Sequence, residues 1–265
     1  MTVITAYLLG LATLPAAAAT ETIPFGRIHA FEARQPIGWR PFGWWKVRIT
    51  TAGHSAAEGG QNKMQNTVLP VGNIQDVLRV FETLLPADPR LSAAPAGNDY
   101  ARSVAESFEV ESAVAGSAVE DDESADAGRR RNALRDALVG SGEGYVRAGS
   151  KAAALLWFGV RRAGLRIEDA SEPHASLRVR RGWLTRSLAV MPIVRAQSIQ
   201  LGRPFAHHLL GLASLQAHTV LGPVRMQMRG IDLEVARQTF DELAETVVRV
   251  QGHDASNRVI REKNA

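Results

Sequence analysis

Arginines set beside prolines, and tryptophans set beside arginines, are the residues of this chain best suited to chemistry. Arg27 and Arg195 each stand in a Pro-x-x-Arg pattern that opens a strand-like run. A guanidinium there offers bidentate contact to a phosphate or lipid headgroup, or ties a loop to backbone carbonyls. Trp39, Trp44 and Trp45 lie beside Arg40, Lys46 and Arg48, and amphipathic rings next to cations suit a membrane interface. Trp45 shares its strand phase with Val47 and Ile49, which assigns it to the core and leaves Trp39 and Trp44 for an interface. Gln197 is expected to satisfy backbone groups of the strand it begins.

The remaining constellations argue against catalysis. His207-His208 is the only adjacent histidine pair. Read as strand neighbours, the two face opposite sides, with no acid or cysteine at ligand spacing. Gly140-Ser141-Gly142-Glu143-Gly144 has the glycines of a phosphate loop, but no apolar strand precedes it and no Gly-Lys-Ser/Thr follows. Asp232 and Glu234 belong to a helix start, where negative charge opposes the dipole. With no cysteine in the chain, disulfides, thiolate catalysis and cysteine-based metal sites are excluded. No serine nucleophile, carboxylate pair or histidine triad is recognisable. The expectation is a protein that is not an enzyme, with no catalytic residues, cofactor or metal.

What positions these residues is a repeat. Residues 24–51 return without a gap as residues 192–219, with Pro24/Pro192, Arg27/Arg195, Pro36/Pro204, Gly43/Gly211 and Thr51/Thr219 identical. Trp45, Val47, Ile49 and Thr51 alternate with polar residues; Ala213, Leu215, Ala217 and Thr219 keep that phase in the second copy. A one-residue slip would exchange the faces, so the shared phase is stronger evidence than the identities. A loop at 52–66 follows the first copy. Each copy then closes in an amphipathic helix: Asn73 caps Ile74, Val77, Leu78, Phe81 and Leu84/Leu85, and Asp232 caps Val235, Ala236, Phe240, Leu243, Ala244, Val247 and Val248.

The 265 residues suffice for two modest domains. The boundaries read as an apolar N-terminal segment at 1–20, a partial module at 21–86, a flexible linker at 87–148, a complete module at 149–252 and a polar, frayed tail at 253–265. The linker is rich in alanine, serine, proline and glycine, with a short helix near 129–139. Strand candidates at 155–167, 177–183 and 184–191, with Gly164 and Gly182 at turns, lead into the second module. The first starts abruptly at Thr22-Ile23-Pro24, and a sheet without its opening strands exposes an unpaired edge. Another chain or segment fills that edge, or the chain is truncated. Residues 3–19 form an uncharged apolar run, open to three readings: signal peptide, membrane helix or its remnant, and soluble packing segment. The net charge of +4 comes from arginine, since lysine stands only at Lys46, Lys63, Lys151 and Lys263. Spread over two modules, it is no nucleic-acid signature.

Taken together, Met191-Pro192, Arg195-Ala196-Gln197-Ser198, Gly211-Leu212-Ala213-Ser214-Leu215, Thr219 and the helix from Asp232 resemble the bacterial pleckstrin-homology domains of the YdbS/YdbT type. In the first copy the resemblance rests on Ile23-Pro24, Arg27-Ile28-His29-Ala30, Arg40, Gly43-Trp44 and the helix from Asn73. It covers nearly all of 149–250 and most of 21–86. His29 stands where the family usually has glutamine, and His208 where it usually has the arginine that Arg40 retains. The resemblance implies a mainly β fold with α (α+β): two PH-like modules, each an antiparallel sheet or barrel closed by one C-terminal amphipathic helix, the first lacking its opening strands. It implies a non-enzymatic, membrane-associated binding or assembly module at the cell membrane, its modules on the cytoplasmic side, whose partners are the membrane and a protein or second copy at the open edge. The alternative is a soluble arginine-rich protein binding phosphate or nucleic acid through the arginines of 161–203.

Overall fold

The computed structural model describes residues 3–5, 22–52, 66–85, 120–153, 160, 162–172, 174–182 and 184–263. The alternating run beginning at Trp45 forms a strand, and its neighbours carry the first module. These are β1 (Val3–Thr5), β2 (Thr22–Pro24), β3 (Ile28–Gln35), β4 (Trp45–Thr51), β5 (Thr67–Gly72) and the helix α1 (Ile74–Leu84). Asn73 begins α1 through a capping box: its Oδ1 accepts from the N–H groups of Gln75 and Asp76, and Asp76 Oδ2 accepts from Asn73 N–H. A second helix, α2 (Glu120–Val139), and β6 (Val146–Arg147) lead into β7 (Gly164–Glu168), β8 (Ser176–Arg181) and β9 (Arg186–Pro192). Then come β10 (Ser198–Gly202), the short α3 (Phe205–Leu209), β11 (Leu212–His218), β12 (Met226–Asp232) and the long α4 (Leu233–Lys263).

The strands assemble into a seven-stranded antiparallel sheet, β5-β4-β3-β9-β8-β7-β6, and a three-stranded sheet, β10-β11-β12. The centre of the larger sheet is buried on both faces. Phe31, Trp45, Val47, Ile49, Leu188 and Val190 meet α1 (Val77, Leu78, Phe81) and α2 (Leu134, Ala137, Leu138) on one face. Phe31 and Phe81 meet edge-on at 4.7 Å. Leu177, Val179, Ala189 and Met191 face the other way, against Leu215, Met226 and Met228 of the small sheet and Ala236, Leu243 and Val250 of α4. Strand β9 therefore reads Leu188-Ala189-Val190-Met191, apolar without alternation, because both its faces are core.

Several expectations are corrected. The edge of β3 expected to recruit another chain is occupied by β9 of this one, from Phe31↔Val190 to Gln35↔Arg186. Residues 120–148 are not linker. Helix α2 spans 20 residues and buries Leu134, Ala137 and Leu138, a stripe obscured by the charges around it; the rest of the expected linker, 87–119, lies outside the described residues. The apolar N-terminal run begins as a strand, with Val3–Thr5 paired to Thr22–Pro24, as β-branched residues favour; residues 6–21 lie outside the described residues. No helix among the described residues is long and apolar enough to cross a membrane. The tail is not frayed: α4 continues to Lys263, supported by the Arg258–Asp254 pair at 2.6 Å. Val235 and Val248 face solvent rather than the core. Gly164 begins β7 rather than a turn, whereas Gly182 turns β8 into β9 at φ +86°.

One carboxylate locks the two halves of the large sheet. Glu32 on β3 is 4% exposed. Its Oε2 accepts from Arg48 of β4 at 3.0 Å and its Oε1 from Arg181 of β8 at 3.1 Å, with Arg34 Nε 3.9 Å away. Burial lowers the pKa of Arg181 and Glu32 opposes that shift. Replacing Glu32 with alanine strands two guanidiniums. We expect Glu32→Ala to cost about 3 kcal/mol, the low end for severing a buried pair because both arginines keep some solvent contact. Urea denaturation of the two proteins checks this.

Candidate functional site

At the end of β3 the chain turns through residues 36–44, and the turn is built to be rigid. Pro36 sets φ at −59° and starts a 3-10 turn at Ile37–Trp39. The N–H groups of Trp39, Arg40, Gly43 and Trp44 donate to the carbonyls of Pro36, Ile37, Arg40 and Trp39 at 3.0–3.2 Å. Gly43 sits at φ +67°, a conformation glycine takes without strain. The turn displays rather than buries its apolar groups. Phe42 (63% exposed) and Trp44 (43%) stack at 4.7 Å, Trp39 meets Trp44 edge-on at 6.3 Å, and Ile37 is exposed beside them. Trp45, one residue on, is 1% exposed.

Because Gln35 pairs with Arg186, the β8–β9 turn comes to the same end of the sheet. Arg40 Nη2 donates to Leu184 O at 3.3 Å, and the Leu184 side chain is exposed. Beneath lies a cluster of cations. Arg162 donates to Leu138 O and Arg180 to Gly140 O, both at the C-terminal end of α2, where the helix dipole favours positive charge. Burial, then the fields of Arg180, Arg186 and Arg40, lower Arg162 to about 10. Burial lowers Arg180 and Arg40 as well, with Arg186 adding to both shifts. Arg180 also lies 5.2 Å over the Tyr145 ring, whose hydroxyl pKa burial raises. The glycines of 140–144 lie against this cluster. Gly142 lies at φ +75°, and a Cβ there would collide with the Arg180 guanidinium.

The other expected residues gather elsewhere, around β10 and β11. Arg27 is exposed and Arg195 half-buried. What ties each loop is the arginine's carbonyl: Arg27 O accepts from Ala52 N–H at 2.8 Å, and Arg195 O from the Thr219 hydroxyl at 3.2 Å. Gln197 is exposed, and its N–H donates to His218 O at 2.8 Å. The amide that satisfies the backbone there is Gln251, donating to Ala196 O at 2.7 Å. Thr219 Oγ1 lies 3.0 Å from His29 Nδ1. Since the hydroxyl proton goes to Arg195 O, Nδ1 carries the proton of this bond. His207 and His208 are on α3 and not on a strand; His207 is buried and its Nδ1 has no hydrogen-bond partner. No group of three or more metal-ligating side chains occurs among the described residues.

The structure thus joins Trp39, Arg40 and Trp44 at one end and separates them from Arg27, Arg195 and Gln197. Arg162, Arg180, Arg186 and Leu184 complete the first group. The sequence singled out these arginines only as part of the run at 161–203, and nothing in it joined them or Leu184 to the aromatics, because only the β3–β9 pairing brings the two turns together.

Residues 152–247 match the model of the family described as bacterial PH domain. The matched segment holds β7 to β12 and the first half of α4, so the fold there is PH-like: mainly β, closed by a C-terminal helix. The first module lies outside the match. No curated protein and no solved structure matches the chain.

His29 gives this region a pH dependence. Its pKa is lowered from 6.5 by burial and by the Arg195 cation. The unfolded chain therefore binds the proton first, so stability is full above 6.5 and falls as pH drops through that value. His207, lowered by burial and Arg229, acts with the same sign. We expect His29→Gln to flatten the loss of thermal midpoint on acidification, and His29→Gln/His207→Gln to flatten it further. Melting curves across the acidic range check both.

Proposed function

We propose that this protein is a non-enzymatic, membrane-associated binding or assembly module made of two PH-like units of the YdbS/YdbT type, held at the cytoplasmic face of the cell membrane. The observation that carries the reading is the exposed Phe42–Trp44 stack beside Arg40, Arg186 and Leu184. Exposing stacked rings to water is unfavourable, and the turn that holds them is too well hydrogen-bonded to fold them away. Against a bilayer the rings sit at headgroup depth, while the arginines meet anionic lipid. The second copy has a matching turn: Pro204, exposed Phe205 and Leu209, then Gly211 at φ +68°. The PH-domain match at 152–247 supports a binding role over a catalytic one.

Sedimentation with vesicles tests the proposal. The protein is expected to pellet with phosphatidylserine-rich vesicles and much less with phosphatidylcholine alone. Phe42→Ser/Trp44→Ser removes roughly 1–2 kcal/mol of apolar transfer per ring, which lowers partitioning by at least about tenfold. Arg186→Gln lowers it less and weakens its salt dependence. A protein that ignores both vesicle types, or a double variant that pellets like the parent, overturns the reading.

A further inference from the structure

A second feature begins at Gly182, two residues before Leu184, where the two sheets meet. Strand β12 ends the small sheet. Along it Met226 and Met228 enter the core, so Arg225, Gln227 and Arg229 alternate with them and stand together on the other side. Arg225 and Arg229 are exposed, and neither has an ion-pair partner among the described residues. Opposite them is the end of β8. Arg181, Gly182, Arg225, Gln227 and Arg229 line a common cavity of about 340 Å³, and no carboxylate among the described residues lines it.

Solvated arginines normally spread apart or pair with acids. Here the backbone fixes three of them around one space. Arg181 is held from behind by Glu32 Oε1 at 3.1 Å, which orients its fork and leaves N–H groups unused. The crowding is felt electrically: Arg225 adds to the lowering of Arg181, and Arg229 to that of His207. Glu32, the acid paired with Arg181, has both oxygens committed to Arg48 and Arg181. What the cavity lacks is negative charge with more than two acceptor atoms. A carboxylate brings two oxygens in one plane. A phosphate brings three or more in a tetrahedral array, suited to guanidiniums arriving from two different strands.

We propose that the cavity between β8 and β12 binds a phosphate-bearing anion, with Arg225 and Arg229 as its mobile contacts, Arg181 as its fixed one and the Gln227 amide as an added donor. The phosphate is either free in solution or the headgroup of a lipid. The site shares the β8–β9 turn with the aromatic site but uses other side chains.

The full-length chain is titrated calorimetrically with inorganic phosphate, and separately sedimented with phosphatidic-acid vesicles against phosphatidylcholine vesicles. We expect binding in at least one arm, reduced at least about tenfold in Arg225→Gln/Arg229→Gln through loss of charge-assisted hydrogen bonds. Both substitutions are at exposed positions, and an unchanged melting curve verifies the fold. Phosphate heat that the variant lacks identifies a soluble ligand; vesicle binding alone, abolished in the variant, identifies a lipid phosphate. Phe42→Ser/Trp44→Ser retains phosphate binding, which separates this site from the aromatic turn. Absence of binding in both arms, or equal binding by the arginine variant, overturns the proposal.

Discussion

Strand β3 has two edges, and β4 covers only one. Left alone, the other would expose backbone N–H and C=O groups from Phe31 to Gln35, with Phe31 and Ala33 beside them. Pairing with β9 removes that edge and makes one sheet of strands that lie far apart in the chain. The consequences spread from this single ladder. Helices α1 and α2 share a core because β3 and β9 are neighbours. Glu32 can reach Arg48 and Arg181 because their strands flank the same seam. The turns carrying Trp44 and Leu184 meet because Gln35 and Arg186 do. The outer edge on the first-module side is β5, where Pro70 interrupts the donor row and blunts further strand addition.

Arginine does unusual work in this sheet. Arg178 and Arg180 are 4% and 2% exposed, on a strand whose alternate residues are core. Neither position would accept a lysine on the same terms. Arg178 reaches Glu168 at 3.5 Å, while Arg180 spans from the Tyr145 ring to the carbonyl end of α2. The planar, weakly hydrated guanidinium satisfies several acceptors while its flat face packs on carbon. Replacing the usual apolar layer with arginine leaves the helix end capped and the surrounding region electropositive.

Local pattern made much of this legible and topology the rest. The alternation from Trp45 and the cap at Asn73 are local signals, and each produced the element it implied. The pairing of β3 with β9 is not local: an apolar strand reads the same whichever neighbour it takes. Helix α2 was legible only as a short segment near 129–139 within a linker, because Leu134, Ala137 and Leu138 are thinly spread among arginines and aspartates. The arginines of β8 were legible only as part of a basic run at 161–203, because nothing near them in sequence announces the helix terminus they meet. The candidate site was half legible. Its aromatics carry their own signal, but Arg162, Arg186 and Leu184 join them only through the fold.

The β3–β9 ladder also sets an order of events in time. As the chain leaves the ribosome, residues 28–84 emerge with α1 able to cover their apolar sheet face but with a strand edge that has no local partner. Their complement, Arg186–Pro192, is made more than a hundred residues later. Closing so distant a contact is slow compared with forming local hairpins. During that interval the nascent first half is the aggregation-exposed species, a natural client for any chaperone that shields strand edges. The arrangement that makes the finished sheet continuous makes its synthesis discontinuous.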